Sequence, residues 1–416
     1  MKLASLCLAV LLGSGQAFAD GGDDLDAAIA RGKYLARLGD CAACHTAAPK
    51  QPFAGGVPLQ SPLGTIYSTN ITPDDADGIG RYSREQFADA LRKGRAADGH
   101  FLYPAMPYPS FSRLSDQDVG DLYTYFMHGV QALPGKPVPS GIPWPLNMRW
   151  PLALWSAAFT TQGPYQQVAG RSAEWNRGAY LVQGLGHCGS CHTPRGIALQ
   201  EKALDQGSPQ YLAGAVQDGW AAPDIGGAKP GSLQGWSEQD LVTFLKTGRN
   251  DHSAAFGAMS GAVLHSTQYF SDADLKAVAV YLRSLGDRTP PRNAGADQTT
   301  PRLAKGLPQG EGEALYLDNC AACHRSDGQG YRATFPRLVG NSAVLGDSPE
   351  SLIHIILKGS SVPKTQGAPT GLSMPDFGWR LNDAQVAELA TFLRSAWGYN
   401  EAAVKAEEVA RVRALQ

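Results

Sequence analysis

Residues 41–45 read Cys41-Ala-Ala-Cys44-His45, and the same arrangement returns as Cys188-Gly-Ser-Cys191-His192 and Cys320-Ala-Ala-Cys323-His324. Three CxxCH motifs in one chain decide the class. Two thiols one helical turn apart can add to the two vinyl groups of one haem, and the adjacent histidine then reaches the iron, so the motif is read as c-type haem attachment. A thioredoxin-like redox CxxC would occur once, and disulfide pairing would not place a histidine after every pair. A zinc site would join one CxxC to another, yet these pairs lie far apart and each has its own histidine. The seventh cysteine, Cys7, lies in an N-terminal stretch that runs from Lys2 through an apolar segment (Leu3 to Leu12) to Ala17-Phe18-Ala19. That stretch reads as a secretory signal ending in an AxA cleavage site, with the mature chain starting at Asp20.

The sequence around each motif also repeats. A glycine-led helical stretch precedes each one: "RGKYLARLGD", "RGAYLVQGLG" and "GEALYLDN". After each comes a helix stopping on glycine, at Gly94, Gly248 and Gly359, with starts marked by Ser83, Ser237 and Ser348 and with Pro349 at the first helical position of the third. Each unit closes on another amphipathic helix, capped by Ser115, Ser271 and Asn382, with Asp118, Asp274 and Gln385 three residues on. This periodicity predicts an all-α protein of three tandem haem units.

Between the last two helices every unit has one methionine: Met106, Met259 and Met374. A haem held by histidine on one face takes a sixth ligand on the other, and a thioether on a loop can supply it. Core or loop packing is the alternative role for each. Met106 sits in the proline-rich run "LYPAMPYPSF", which limits the loop's freedom, whereas Met259 in "GAMSG" lacks flanking proline and has His252 and His265 nearby. His100 competes with Met106 but precedes the proline run. His354 reads as packed within a helix, and His187 stands too close to Cys188 to swing over the iron.

At these motifs the chain resembles a known family, the triple-haem cytochrome c subunits of membrane-associated bacterial dehydrogenases for gluconate, alcohols, fructose or sorbitol. The matching stretches include "GTIYSTNITPDDADGIGRYS", "LYPAMPYPSFSRLSDQDV", "PLNMRWPLALW" and "STQYFSDADL". The resemblance implies covalent haem c on Cys41, Cys44, Cys188, Cys191, Cys320 and Cys323. It implies His45, His192 and His324 as proximal iron ligands and Met106, Met259 and Met374 as distal ones. It also implies electron transfer from a flavin- or PQQ-containing catalytic subunit to ubiquinone, at the periplasmic side of the inner membrane. In that scheme the chain is not the catalytic subunit. A multihaem peroxidase, which needs an iron lacking its methionine, and a free shuttle to a terminal oxidase are the competing readings.

The expected boundaries are a signal peptide at 1–19, unit one with a Pro/Trp-rich connector at 20–165, unit two at 166–287, a linker at 288–309, unit three at 310–400 and a helical tail at 401–416. The connector carries Trp144, Trp150 and Trp155, expected either to form a partner, quinone or membrane contact or to wrap a haem unit and bury there. The tail, with Val404, Val409, Val412 and Leu415, is expected to dock on a partner or membrane surface or to remain solvated. No mature segment approaches the ~18 apolar residues of a membrane span. A formal net charge of -2 without a long basic run argues against nucleic acid as a partner.

Overall fold

A computed structural model describes residues 21–160, 163–217, 219–227, 233, 235–286 and 294–415. The signal-peptide reading of 1–19 and the start of the linker, 288–293, lie outside the described residues.

Three times the chain crosses a leading helix with a closing helix. Gly21–Leu38 packs on Asp116–Thr124 and its π-helical continuation Tyr125–Gly129. Ala173–Gln183 packs on Asp272–Gly286, and Glu311–Asn319 on Asp383–Ser395. A glycine lies at every crossing because the backbones approach too closely for a side chain. A Cβ on Gly32 would lie 2.0 Å from the Asp121 carbonyl oxygen and 2.5 Å from the Tyr125 Cβ. On Gly178 it would lie 2.0 Å from the Ala277 oxygen and 2.8 Å from the Tyr281 Cβ, and on Gly312, 2.5 Å from the Glu388 oxygen and 2.8 Å from the Phe392 Cβ. The partner pattern is thus the same each time: a carbonyl, and an aromatic residue one turn later. In the second pair, Arg177 adds a two-pronged ion pair to Asp274, at 2.7 and 2.9 Å, and Tyr34 of the first leading helix donates to the same carboxylate at 2.6 Å.

The expected caps form at Ser83 and Ser237, which close full capping boxes with Gln86 and Asp240, and at Asn382 with Gln385. The Ser115 and Ser271 hydroxyls accept from the backbone N–H of Asp118 and Asp274. At the third intermediate helix the expectation is one residue off: Pro349 is the cap, and the helix runs Glu350–Lys358. The protein is helix-rich but not purely helical. Short antiparallel pairs join Pro58–Leu59 with Ile66–Tyr67, Ala213–Gln217 with Trp220–Asp224, and Ser360–Ser361 with Ser373–Met374.

Units one and two share one apolar core, in which Leu38, Leu114, Leu181, Leu185 and Tyr281 are buried together. Unit three has its own, built on Ile353, Val386, Leu389, Val409 and Val412. The tail expectation is therefore corrected: helix Ala406–Ala414 buries Val409 and Val412 completely against its own unit, with Val404 alongside. Arg413 locks it there by pairing with Asp383 and donating to the carbonyls of Gly378 and Leu381.

The paired strands Ala213–Gln217 and Trp220–Asp224 form one part of the seam between the two bodies, and polar contacts of Asp251 with Arg332, His252 with Asn341 and Gln268 with Gln366 form another. Ser351 of unit three accepts from the Ala221 N–H and donates to the Ala221 oxygen, while His354 stacks on Trp220 at 4.2 Å. The connector departs from the wrapped, buried alternative: Trp144 and Trp150 are 79% and 66% exposed. Trp155 alone turns inward, meeting Tyr108 edge-on at 5.8 Å and donating to the Ala198 oxygen.

Candidate functional site

Each CxxCH forms a short helix of its own, Cys41–His45, Gly189–His192 (after Cys188) and Ala321–His324 (after Cys320). All six cysteines are free of disulfides. Burial pushes the thiols of Cys41, Cys188 and Cys320 up to about 12 and that of Cys44 up to about 11, so they are protonated rather than poised as thiolate nucleophiles.

The three histidines share one constraint. Nδ1 lies 2.7 Å from the Thr69 oxygen in His45, 2.7 Å from the Pro223 oxygen in His192 and 2.9 Å from the Pro336 oxygen in His324. A carbonyl only accepts, so Nδ1 carries the proton and Nε2 keeps its lone pair, the arrangement that orients an imidazole towards a metal. Burial lowers all three pKa values and favours the neutral ring. Paired thiols one turn apart beside an imidazole with a free Nε2 fit covalent haem. The bracing carbonyls were missed in the sequence. For His192 a signal existed: an Asp-Gly dipeptide at 218–219 between two short runs is a sequence signature of paired strands, and Pro223 lies on strand Trp220–Asp224.

The methionines are placed differently in each unit. Met106 ends a turn, its N–H donating to the Tyr103 oxygen at 3.3 Å, and it packs on the same core as Cys41. Met259, expected in a loop, is the second residue of helix Ala258–His265, which lies against the Cys41–His45 helix. Met374 pairs with Ser360 in a strand, and the approach is so close that a Cβ on Gly359 would stand 2.3 Å from the Met374 oxygen. Several competing histidines have other partners. His100 contacts Asp98 at 2.6 Å, and His252 contacts Asp240 at 3.3 Å while stacking on Trp236. His187 bonds the Leu185 oxygen, and His265 is exposed.

The first two motifs also lie close together. A Cβ on Gly39, two residues before Cys41, would stand 3.1 Å from Leu185, three residues before Cys188, and Ser266, just beyond the Met259 helix, donates to the Leu38 oxygen of the first leading helix.

Helices crossing on a glycine, around CxxCH turns with carbonyl-braced histidines, define a c-type cytochrome, and the sequence model of the Cytochrome c family matches residues 29–129 and 310–397. Full-length relatives narrow the class. The chain is 50% identical to the gluconate 2-dehydrogenase cytochrome c subunit of Pantoea cypripedii, over 98% of this chain and 94% of that one. It is 47% identical to the cytochrome c subunit of alcohol dehydrogenase (quinone) of Gluconobacter oxydans, over 99% and 87%. With the fructose dehydrogenase cytochrome subunit of Gluconobacter japonicus it shares 42% identity, over 93% and 82%. The chain belongs to this family of dehydrogenase cytochrome c subunits, whose role is electron transfer beside a catalytic dehydrogenase.

Proposed function

We propose that the chain carries three covalent haems c in three cytochrome c units, 20–165 with its connector, 166–287 and 310–400. The haems attach at Cys41 and Cys44, Cys188 and Cys191, and Cys320 and Cys323. His45, His192 and His324 are the proximal ligands and Met106, Met259 and Met374 the distal ones. The chain takes electrons from a flavin- or PQQ-containing catalytic subunit and delivers them to ubiquinone. It works at the periplasmic face of the inner membrane after export on the signal at 1–19, as a peripheral subunit. The recurrence of one local build carries the reading: CxxCH, an imidazole braced through Nδ1 on a backbone oxygen, and a glycine crossing, in the middle unit as in the outer two. The names of the relatives, dehydrogenases for a sugar acid, a sugar and an alcohol, one of them marked as quinone-linked, support the partner and the acceptor. Among the described residues no helix is long and apolar enough to cross a membrane, which agrees with peripheral attachment.

A bound haem c with both axial positions filled supplies one-electron exchange at iron without an open site for oxygen or peroxide. The protein's part is positional. Thr69, Pro223 and Pro336 hold the imidazoles in one tautomer, and the shared core of units one and two, on which both Cys41 and Cys188 pack, keeps the first two motifs near each other, which favours direct exchange between those two haems. Haem quantitation by alkaline pyridine haemochrome tests the count. Three haems per chain are expected, falling to two in Cys188→Ala/Cys191→Ala; two in the unmodified protein would defeat the reading of the middle unit.

A further inference from the structure

Tyr103 and Arg149 form a pair that the ligand role of Met106 leaves unexplained. Tyr103 is only 8% exposed, yet its hydroxyl has no hydrogen-bond partner. A buried hydroxyl left unsatisfied is destabilising, so the site calls for an acceptor. Arg149 reaches over it from the connector, with its guanidinium carbon 3.6 Å from the Tyr103 ring centre, and Nη1 donates to the Phe101 oxygen at 3.0 Å. That uses one of several N–H donors. No carboxylate pairs with Arg149 among the described residues, although burial weighs against its charge. The connector is anchored independently, because Ser156 donates to the Lys93 oxygen and Trp155 rests on Tyr108.

Position tells what this pair faces. The Met106 N–H closes a four-residue turn on the Tyr103 oxygen, and such a turn keeps its end Cα atoms within about 7 Å. A haem whose iron the Met106 sulfur held would come within reach of Tyr103, and it would carry two propionate carboxylates at its periphery. An anion there would give the Tyr103 hydroxyl an acceptor and Arg149 a counter-charge. We propose that Tyr103 and Arg149 receive a propionate of the first haem, so that the connector completes the haem site of unit one. This rests on the reading that Cys41, Cys44, His45 and Met106 hold that haem. The Arg149 charge beside the haem favours the ferrous form, since reduction lowers the positive charge at iron.

The test uses the full haem-loaded chain with Arg149→Leu, Arg149→Lys and Tyr103→Phe, followed by spectroelectrochemical titration and resonance Raman spectroscopy of the propionate bending bands. Arg149→Leu is expected to lower one of the three midpoint potentials and leave the other two, and Arg149→Lys to restore most of the shift. Tyr103→Phe is expected to move a propionate band while the methionine-to-iron charge-transfer band stays. Three unchanged midpoints with unchanged propionate bands in Arg149→Leu would overturn the assignment. So would loss of the methionine-to-iron band in both Arg149 variants, which would make Arg149 a strap for the loop only. Haem content on the same samples separates the two readings: no haem on Cys41 and Cys44 in the unmodified chain would defeat the ligand reading itself.

Discussion

Replacing Gly178 by alanine tests whether the helix crossing is set by backbone contact. The added methyl carbon would stand 2.0 Å from the Ala277 oxygen and 2.8 Å from the Tyr281 Cβ, and the nearest atom is main chain, which no rotamer change can move aside. Ordinary contact requires more than an ångström of extra separation along a crossing that also carries the Arg177–Asp274 pair. Overpacking of this kind costs about 1–3 kcal/mol, while exchanging glycine for alanine in a helix returns up to about 1 kcal/mol of propensity. With a rigid neighbour the upper part of the range applies, for a net loss of about 2 kcal/mol. In a cooperative body the size of units one and two together, that lowers the melting temperature by about 3–4 °C. Circular dichroism melts of the haem-loaded chain would measure it, with Gly22→Ala, where nothing lies within 4 Å, as the control. A Gly178→Ala protein that melts at or above the parent temperature would refute the close-crossing argument. Gly312→Ala applies the same strain to unit three and should lower only the transition of that body.

Met106→Leu should leave three covalent haems in place while lowering one midpoint potential or producing a high-spin iron signal, read by redox titration and absorption spectroscopy; three unchanged transitions would remove Met106 from the ligand set. Asp274→Asn should cost about 2–4 kcal/mol at neutral pH, because it leaves Arg177 without its counter-charge and disturbs Tyr34. Burial alone would raise the Asp274 pKa, but the hydrogen bonds from Arg177 and Tyr34 outweigh it and hold the carboxyl below its usual range. Its contribution is therefore complete above about pH 4 and is lost as pH falls through the depressed value, so the denaturation midpoints of parent and variant should converge in acid. Arg394, 2% exposed, donates to the oxygens of Ala402, Val344 and Gly346; Arg394→Met should lower the unfolding free energy of unit three by about 3 kcal/mol and spare the other body.

Where chemistry depends on residues adjacent in the chain, the sequence was readable. The CxxCH turns, the serine and asparagine caps and the glycine stops at Gly94, Gly248 and Gly359 all lie within a few residues of what they organise. Long-range contacts were less visible. The carbonyl brace at Thr69 is backbone chemistry that any residue type could supply, so no side chain announced it. Helix Ala258–His265 around Met259 is mostly apolar without an amphipathic stripe or a capping side chain, and its packing against the first haem motif, rather than local pattern, accompanies its helical form. Trp144 and Trp150 look like core residues by type, but the one sits in a proline-bounded surface turn and the other caps helix Pro151–Phe159, and both stay exposed. Val409 and Val412 show the reverse, a stripe too sparse to declare itself that nevertheless fills unit three's core.

The division into two hydrophobic bodies sets how such a chain can lengthen or shorten over evolutionary time. Unit three meets the rest through strand Trp220–Asp224 and a band of largely polar contacts while keeping a separate apolar core, so it can be acquired, exchanged or shed as a cassette while its neighbours keep their interiors. Units one and two have no such freedom: Leu38, Leu114 and Leu185 complete one another's packing, and deleting either unit would strip the other to bare apolar surface. The smallest heritable piece at that end of the molecule is therefore a pair.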